Sequence, residues 1–590
     1  MKTLHKWARM PIGLTVPALA ILLFAFGIPM LQLFFTSLNA PNLSVANYRD
    51  FFLHQSNVTV LLQTIEISVV ATAICLVLGY PIAYLIVAAP KRLKVVLTVL
   101  VFIPWLTSGL VRTYAWTIIL GDHGLINNLL LNTGLISSPL QLLYNRLAVY
   151  IGMVHIMLPM MILPLLSVMQ GIDKSLLAAA RSMGAQPLAA FWRVFFPLSL
   201  PGVRSGSLLV FVVCLGFYIT PQALGGLRDA MLSTFIVAQV QTSFNIARAA
   251  ASAFILLGIA VVILSIFGLD LSAAHRGAAR SAEDTWRRRL PSFGALSRGM
   301  KEVLIPYRAN RWASQLYMAG RNGRWSETLG AAYAVLFMIF LLCPGVIVII
   351  MSFSAGEFLE FPPSGLSLQW YRSFFGDSSW TEAVWNSARI AFLVALLSTV
   401  VGTLAAYGLS RTFPRLRAFL TMVILSPITF PVIVVGIAIY FGLVKLGLIG
   451  TLAGIVLAHS IGAIGTVVVI VAATLAQFDR RLEQAAQSLR AGPLQTFLRV
   501  TLPLISPGII GGAMFAFIHS FDEVVITSLV SGFSLRTLPL KMLENIRQQI
   551  DPTIAAVGAL LTFLPVVWLI ALYFMWWRKR PASQHLEPAT

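Results

Sequence analysis

Charge is what this 590-residue sequence has least of: 11% of its residues are charged, against 58% hydrophobic. Soluble proteins carry roughly 25% charged residues, so water is excluded as the main solvent of the chain and lipid takes its place. Carboxylates are scarcest, 21 Asp and Glu beside 42 Lys and Arg, leaving a net charge of +21. No basic stretch is interleaved with aromatics on a polar module, which excludes a nucleic-acid partner as the reason for that excess. The excess reflects Lys and Arg held on one side of a membrane. Only three cysteines occur, Cys75, Cys214 and Cys343, each inside an apolar run and none with a CxxC partner. That excludes a disulfide framework and a zinc site. The sequence also lacks a GxxxxGKS/T phosphate loop, which excludes nucleotide hydrolysis on such a loop within this chain.

What the sequence has in abundance is long apolar runs. A helix needs about 20 apolar residues to cross the bilayer core. Twelve such runs occur, near 11–36, 62–89, 95–120, 147–169, 203–226, 249–271, 328–353, 386–410, 418–444, 451–476, 509–532 and 553–577. The first is too long for a signal-peptide core and lacks a small-x-small cleavage site, so it reads as a retained span. Basic clusters at Lys2, Lys6 and Arg9, at Lys91, Arg92 and Lys94, at Arg411, Arg415 and Arg417, and at Arg578, Lys579 and Arg580 fall on one side of a twelve-span arrangement. That side is expected to be cytoplasmic, with both termini on it.

Residues 272–327 carry eleven basic and four acidic residues and separate two sets of six spans. Two readings of this joint stay open. It is a solvated connector, or its Trp286, Trp312 and Trp325 beside arginines let it lie on anionic lipid. The expected divisions are a first half over 1–271, this linker, a second half over 328–580, and a tail over 581–590.

The halves are related by an internal repeat. Residues 173–202 and 479–508 align without gaps at an offset of 306, with fifteen of thirty positions identical, among them Asp173/Asp479, Ala179/Ala485, Ala180/Ala486, Pro187/Pro493 and Pro197/Pro503. Weaker echoes, Gly79/Gly402 and Tyr84/Tyr407, lie at an offset of 323 in the second span of each half. Both loops follow four spans of their own half, so both face the same side. Two six-span units of equal orientation form a parallel repeat with a pathway at its interface. The expected fold class is therefore all-α, a polytopic membrane protein of two parallel six-helix repeats. Within each loop the pattern predicts a short helix over 176–183, a break at Gly184, and a second helix opened by Pro187, where a missing N–H costs nothing. Pro197 and Pro201 are expected to end that second helix.

These loops resemble the EAA coupling loop of ABC-importer permeases: Glu-Ala-Ala, three residues, Gly, then nine residues to an apolar-x-Leu-Pro ending. Ala178, Ala179, Ala180 and Gly184 with Phe196 and Pro197 carry it in the first half; Gln484, Ala485, Ala486 and Arg490 with Leu502 and Pro503 carry it in the second. The family's Glu is missing at Ala178 and Gln484, and its Gly is replaced by Arg490. A non-glycine at a turn needing positive φ costs about 1 kcal/mol or more. Glu483, one residue earlier, is expected to substitute in part for the missing carboxylate. Residues 103–120 and 216–226 resemble the first permease of the spermidine/putrescine class, and 515–541 its second permease, normally a separate chain.

The resemblance implies a type I importer permease fold in a bacterial inner membrane. It implies coupling through Ala179, Ala180, Gly184, Pro187, Ala485, Ala486, Arg490 and Pro493. It also implies two ATP-binding subunits holding ATP and Mg, with no cofactor in this chain, and a periplasmic solute-binding protein. Such a permease is a transport component and not an enzyme.

Ionisable residues inside spans narrow the solute. A carboxylate near the bilayer centre costs about 2.5–3.5 kcal/mol on insertion scales and marks a pathway candidate. Asp522 and Glu523 sit within the eleventh run, with His519 three and four residues earlier. On a continuous helix the two carboxylates stand about 100° apart. The corresponding stretch of the first half offers Phe217, Tyr218, Thr220 and Gln222, and Trp105 lies in the third run. Aromatic faces and an acidic pair suit an organic cation, since one carboxylate–ammonium contact is worth roughly 4 kcal/mol before desolvation at an effective dielectric near 20. The competing reading has the pair bound internally to His519 or Arg112, or capping a broken helix.

Glu66 and Arg389 occupy matching places and either pair or sit in the outer headgroup region; the latter is expected. His155 among Met153, Met157, Met160 and Met161 resembles a soft metal site, but Met runs in membrane helices pack, so no metal is expected. The solute is expected to be a polyamine or similar amine. Ferric ion, a phosphonate or another small solute is the alternative, and an ion-driven carrier with His519 and Asp522 as proton relay stands against both.

Overall fold

The computed structural model describes residues 11–266 and 325–563, apart from 244, 359, 533 and 549–551, together with residue 567. Both termini, Trp286, Trp312 and nearly all of the 272–327 joint lie outside the described residues. The first half contains α1 (Ile12–Ser37), α2 (Gln55–Ala88), α3 (Lys91–Leu106), α4 (Gly109–Leu120), α5 (Arg146–Gln170), α6 (Lys174–Ser182), α7 (Phe191–Leu215), α8 (Ile219–Leu224) and α9 (Ile246–Ile266). The second contains α10 (Trp325–Met351), α11 (Ser378–Ser410), α12 (Pro414–Thr429), α13 (Val432–Leu446), α14 (Leu452–Ala476), α15 (Arg481–Ser488), α16 (Pro493–Phe521), α17 (Val525–Val530) and α18 (Leu538–Gln548). A further apolar helix, α19 (Thr553–Phe563), begins the expected last span. Among the described residues nine helices are long and apolar enough to cross a membrane, or eleven when two bent pairs are each taken as one span. The protein is all-α.

The bent pairs differ from the straight third and ninth spans expected. Between α3 and α4 the chain turns by 90°, and between α12 and α13 by 98°. Pro431 explains the second break, because the residue before a proline is pushed to extended backbone and Phe430 has ψ 151°. At the first break the Ser108 hydroxyl accepts the Leu110 N–H and caps α4, the ordinary work of a serine at a helix start.

Pro197 and Pro201 do not end a helix. α7 runs through both, opened by the single turn Pro187–Ala190 and a π-turn at Phe191–Phe195. The second half repeats this with a π-turn at Phe497–Thr501 ahead of Pro503 and Pro507. A proline removes one N–H donor and collides with the carbonyl four residues back. The π-turn places that carbonyl in a wider register, so the helix continues.

Each half is built around three mutually packed spans: α2, α5 and α7 in the first, α11, α14 and α16 in the second. Small residues permit the approach, as is usual where lipid-facing helices gain nothing from exclusion of water. A Cβ on Gly79 would lie 3.3 Å from Met161 and Ile162, and one on Gly402 would lie 2.8 Å from Val467. The repeated Gly79/Gly402 pair therefore marks contact between the second and fourth spans of each half. The first span of each half crosses to the other: α1 packs on α11 and α13, and α10 packs on α2, α3 and α4. Tyr333 in α10 donates to the Leu78 carbonyl at 2.6 Å, and His155 Nε2 meets the Leu341 carbonyl at 3.0 Å. His155 sits against the Trp116 and Phe340 rings, so its Met-rich surroundings serve packing between α5 and α10.

Candidate functional site

The two repeated loops fold alike, from the same local causes. Asp173 Oδ1 accepts the Ser175 N–H at 2.9 Å and caps α6; Asp479 Oδ1 accepts the Arg481 N–H at 2.9 Å and caps the start of α15. The Asp173 carboxyl is held below its usual range, first by its hydrogen bond from the Ser175 hydroxyl and then by that residue's N–H. Each short helix closes with the same left-handed turn. In the first, Gly184 has φ +85° and the Ala185 N–H reaches the Ala180 carbonyl at 3.0 Å. In the second, Arg490 has φ +62° and the Ala491 N–H reaches the Ala486 carbonyl at 3.0 Å. Arg490 thus occupies a glycine's conformation.

Ala179, Ala485, Gly184, Arg490 and Pro493 are exposed, Ala486 is half-buried and Ala180 is buried. Pro187 and Pro493 each open the following turn of helix. Sequence reasoning missed the residue just before each turn. Met183 is 83% exposed and Leu489 is 85% exposed at equivalent places of the repeat. Leu176 and Leu482 continue that face, each 46% exposed. An exposed apolar position at the same repeat offset was the available signal. Two matched apolar knobs on paired amphipathic helices form a surface suited to apolar grooves on partner proteins.

Glu483 is not offered on this surface. It is buried, accepting the Thr501 hydroxyl at 2.6 Å on Oε1 and the Arg411 guanidinium on Oε2. It faces inward because Arg411, at the end of α11, lies over the Tyr407 ring at 5.2 Å and points toward it. Arg480 adds a bond to the Ser410 carbonyl at 2.7 Å.

The second constellation lies where the halves cross. The eleventh span does not run through Asp522 and Glu523, so they are not neighbours on one helix. α16 ends at Phe521 and α17 starts at Val525. The carboxylates stabilise this break. Glu523, buried, accepts the Ile526 N–H at 2.9 Å and caps α17. Asp522 accepts from the other half: the Ser108 hydroxyl on Oδ1 and the Gly109 N–H at 3.2 Å on Oδ2. It thereby caps α4, where the helix dipole favours a negative charge.

The mirror junction has no acid. Gly216, equivalent to Asp522, ends α7, and a Cβ there would lie 3.0 Å from Pro431 Cβ and the Val432 nitrogen, at the start of α13. Each broken span of one half therefore docks on the restarted helix of the other, and only one crossing carries a carboxylate.

Trp105 joins the same crossing, its ring 5.7 Å from Phe515 of α16. His519 is exposed on α16, with Nε2 close against Gly462 of α14. Tyr218 is buried and Gln222 half-buried at the first-half break. That break meets α4 one turn beyond Gly109, through a Thr113–Thr220 hydroxyl contact at 3.1 Å. Arg112, also on α4, is buried and its Nη1 approaches the Ile156 carbonyl at 3.5 Å. Glu66 pairs with Arg146 at 3.0 Å, and Arg146 reaches Asp229 at 3.2 Å, while Arg389 is exposed. The Glu66–Arg389 correspondence is one of position and not of contact.

The sequence pattern of the family described as "Binding-protein-dependent transport system inner membrane component" matches residues 75–275 and again 398–580. Over 203 residues the chain is 34% identical to the spermidine/putrescine transport system permease protein PotB of Haemophilus influenzae, covering 34% of this chain and 71% of that protein. Over 245 residues it is 34% identical to the putrescine transport system permease protein PotI of Escherichia coli, covering 40% of this chain and 86% of that protein. A solved bacterial ABC transporter involved in the import of the acidic polysaccharide alginate aligns at a TM-score of 0.35 and 18% identity, over 44% of this chain and 99% of that one.

Proposed function

The chain belongs to the family of binding-protein-dependent transport system inner membrane components, and on that premise we propose that it is the fused permease of an ATP-driven importer for a polyamine or similar small organic cation. The observation that carries this reading is the pair of matched loops, each ending in a left-handed turn behind an exposed apolar knob at Met183 or Leu489. Two such surfaces on one chain suit two ATP-binding subunits, which supply ATP and Mg. Solute capture falls to a periplasmic binding protein. The names of the PotB and PotI relatives support a polyamine as solute. Asp522 suits a cation as well: a carboxylate offers about four acceptor sites, and Ser108 and Gly109 occupy one on each oxygen.

In this reading residues 1–271 and 328–580 are the two permease halves, joined by 272–327 on the cytoplasmic side. A reporter active only in the cytoplasm, fused after Arg298, is expected to work; activity only in the periplasm would overturn that orientation. The function is tested in proteoliposomes holding the whole complex. Spermidine or putrescine uptake is expected to require both ATP and the loaded binding protein. Uptake driven by a proton gradient without ATP would replace the reading with an ion-driven carrier. Thermal stabilisation of the cognate binding protein by a phosphonate or ferric ion, and not by an amine, would reassign the solute.

A further inference from the structure

The two loops share a fold but are anchored by different chemistry. In the first half, Leu177 on α6 is half-buried against an apolar cluster that includes Phe191 and Phe195. Tyr84 of α2 meets those rings at 5.2 and 5.1 Å. At the repeat-equivalent places of the second half stand Glu483 for Leu177, Thr501 for Phe195, and Arg411 for Ala88. The framework around them is retained, with Tyr407 against Phe497 at 4.8 Å. Two positions of the first half's apolar anchor, and the exposed Ala88 beside it, thus correspond to a hydroxyl and an ion pair in the second half. The Glu483 and Arg411 side chains are 8% and 17% exposed. Glu483 fills both carboxylate oxygens within this set, and Arg411 keeps its contact with Tyr407.

From this we infer that Glu483 is a positioning residue that locks the second loop helix to the end of α11 through Arg411. Movement imposed on α15 by an ATP-hydrolysing partner then passes to α11 by the ion pair, whereas the first loop passes it to α2 by ring packing. The inference rests on the reading that these loops meet ATPase subunits. Two properties of the ion pair suit transmission. A buried pair is directional, since its geometry fixes both partners. Removing one member leaves the other charge buried and unpaired, so the helix is released and not merely loosened. Glu483 makes no contact with solute or nucleotide in this scheme; it acts through Arg411.

The test uses the complete complex in proteoliposomes and reads solute taken up per ATP hydrolysed. Glu483→Gln and Arg411→Met are each expected to lower that ratio by about tenfold, within the range usual for coupling between sites. The triple variant Glu483→Leu, Arg411→Ala, Thr501→Phe rebuilds the first half's apolar anchor. It is expected to return the ratio to within about twofold of wild type, since neighbouring substitutions compensate one another. A normal ratio in both single variants overturns the inference. So does a triple variant that assembles but stays uncoupled. Loss of assembled complex in the single variants, not restored in the triple, marks a purely structural pair and overturns it as well. A wild-type complex without ATP-dependent uptake would instead sink the transport reading itself, and that result is visible before any variant is made.

Discussion

Uptake of a cationic solute per assembled complex is expected to fall about tenfold in Asp522→Asn, with complex yield held within about twofold. Asparagine keeps an acceptor oxygen for the Ser108 hydroxyl or the Gly109 N–H, which Asp522 now receives together. The crossing between halves is therefore largely preserved while its charge is removed. A carboxylate–ammonium contact is worth roughly 4 kcal/mol before desolvation, and retaining a third of that corresponds to about one decade in rate. Asp522→Ala removes both hydrogen bonds at once. Bonds to charged groups are worth about 1.5–3 kcal/mol each, so this variant is expected to lose assembled complex as well as uptake.

Glu523→Gln gives the contrast. Its carboxylate is buried and committed to the Ile526 N–H, a bond that a glutamine oxygen also accepts, so uptake per complex and yield are both expected to stay within about twofold of wild type. Measuring both quantities for the three variants separates passenger contact from helix capping. Normal uptake per complex in Asp522→Asn would take the charge out of the mechanism.

The second large effect is expected at the loop tips. Met183→Asp or Leu489→Asp should weaken ATPase attachment by about a hundredfold, because a side chain worth about 1.5–3 kcal/mol on burial is exchanged for a carboxylate that resists it. Co-purification of the ATP-binding subunits with each variant reads this directly.

The turns beside these knobs should respond unequally. A Cβ on Gly184 meets nothing within 4 Å, so Gly184→Arg carries only the strain of the left-handed conformation, about 1–2 kcal/mol. Transport-linked ATP hydrolysis is expected to fall by about tenfold, the rate equivalent of a strain in the middle of that range. Arg490→Gly relieves that strain but frees the unfolded backbone, and is expected to be tolerated or mildly beneficial. Full ATPase attachment in both knob variants, with silence at both turns, would show that the loops are not the ATPase contacts.

Some of this was open to sequence reasoning because its causes are local. Scarce charge and twelve apolar runs set an all-helical membrane chain, since only helices satisfy their own backbone in lipid without a partner strand. Part of the loop fold was equally legible: the repeat gave a short helix, a break at Gly184 and a second helix opened by Pro187, and Gly184 and Arg490 do stand where a repeated turn demands positive φ. Position within a repeat is a property of sequence, so the unusual Arg490 could be recognised before its φ was known.

Other features belonged to the tertiary structure alone, because their partners lie far along the chain or in the other half. A straight span through Asp522 was the natural expectation, since the surrounding residues are apolar throughout. The break recurs at Gly216 without an acid; in the second half it is held by a carboxylate that finds Ser108 and Gly109 of the first half. Pro197 and Pro201 read as helix ends, but the helix runs through both behind a π-turn at Phe191–Phe195. Glu483 read as a stand-in for the loop's missing carboxylate, but Arg411 and Thr501 draw it inward. Sequence alone decided what each segment can do with its own backbone; the tertiary structure decided where the few charges go, because a charge in a low-dielectric interior settles wherever a distant partner meets it.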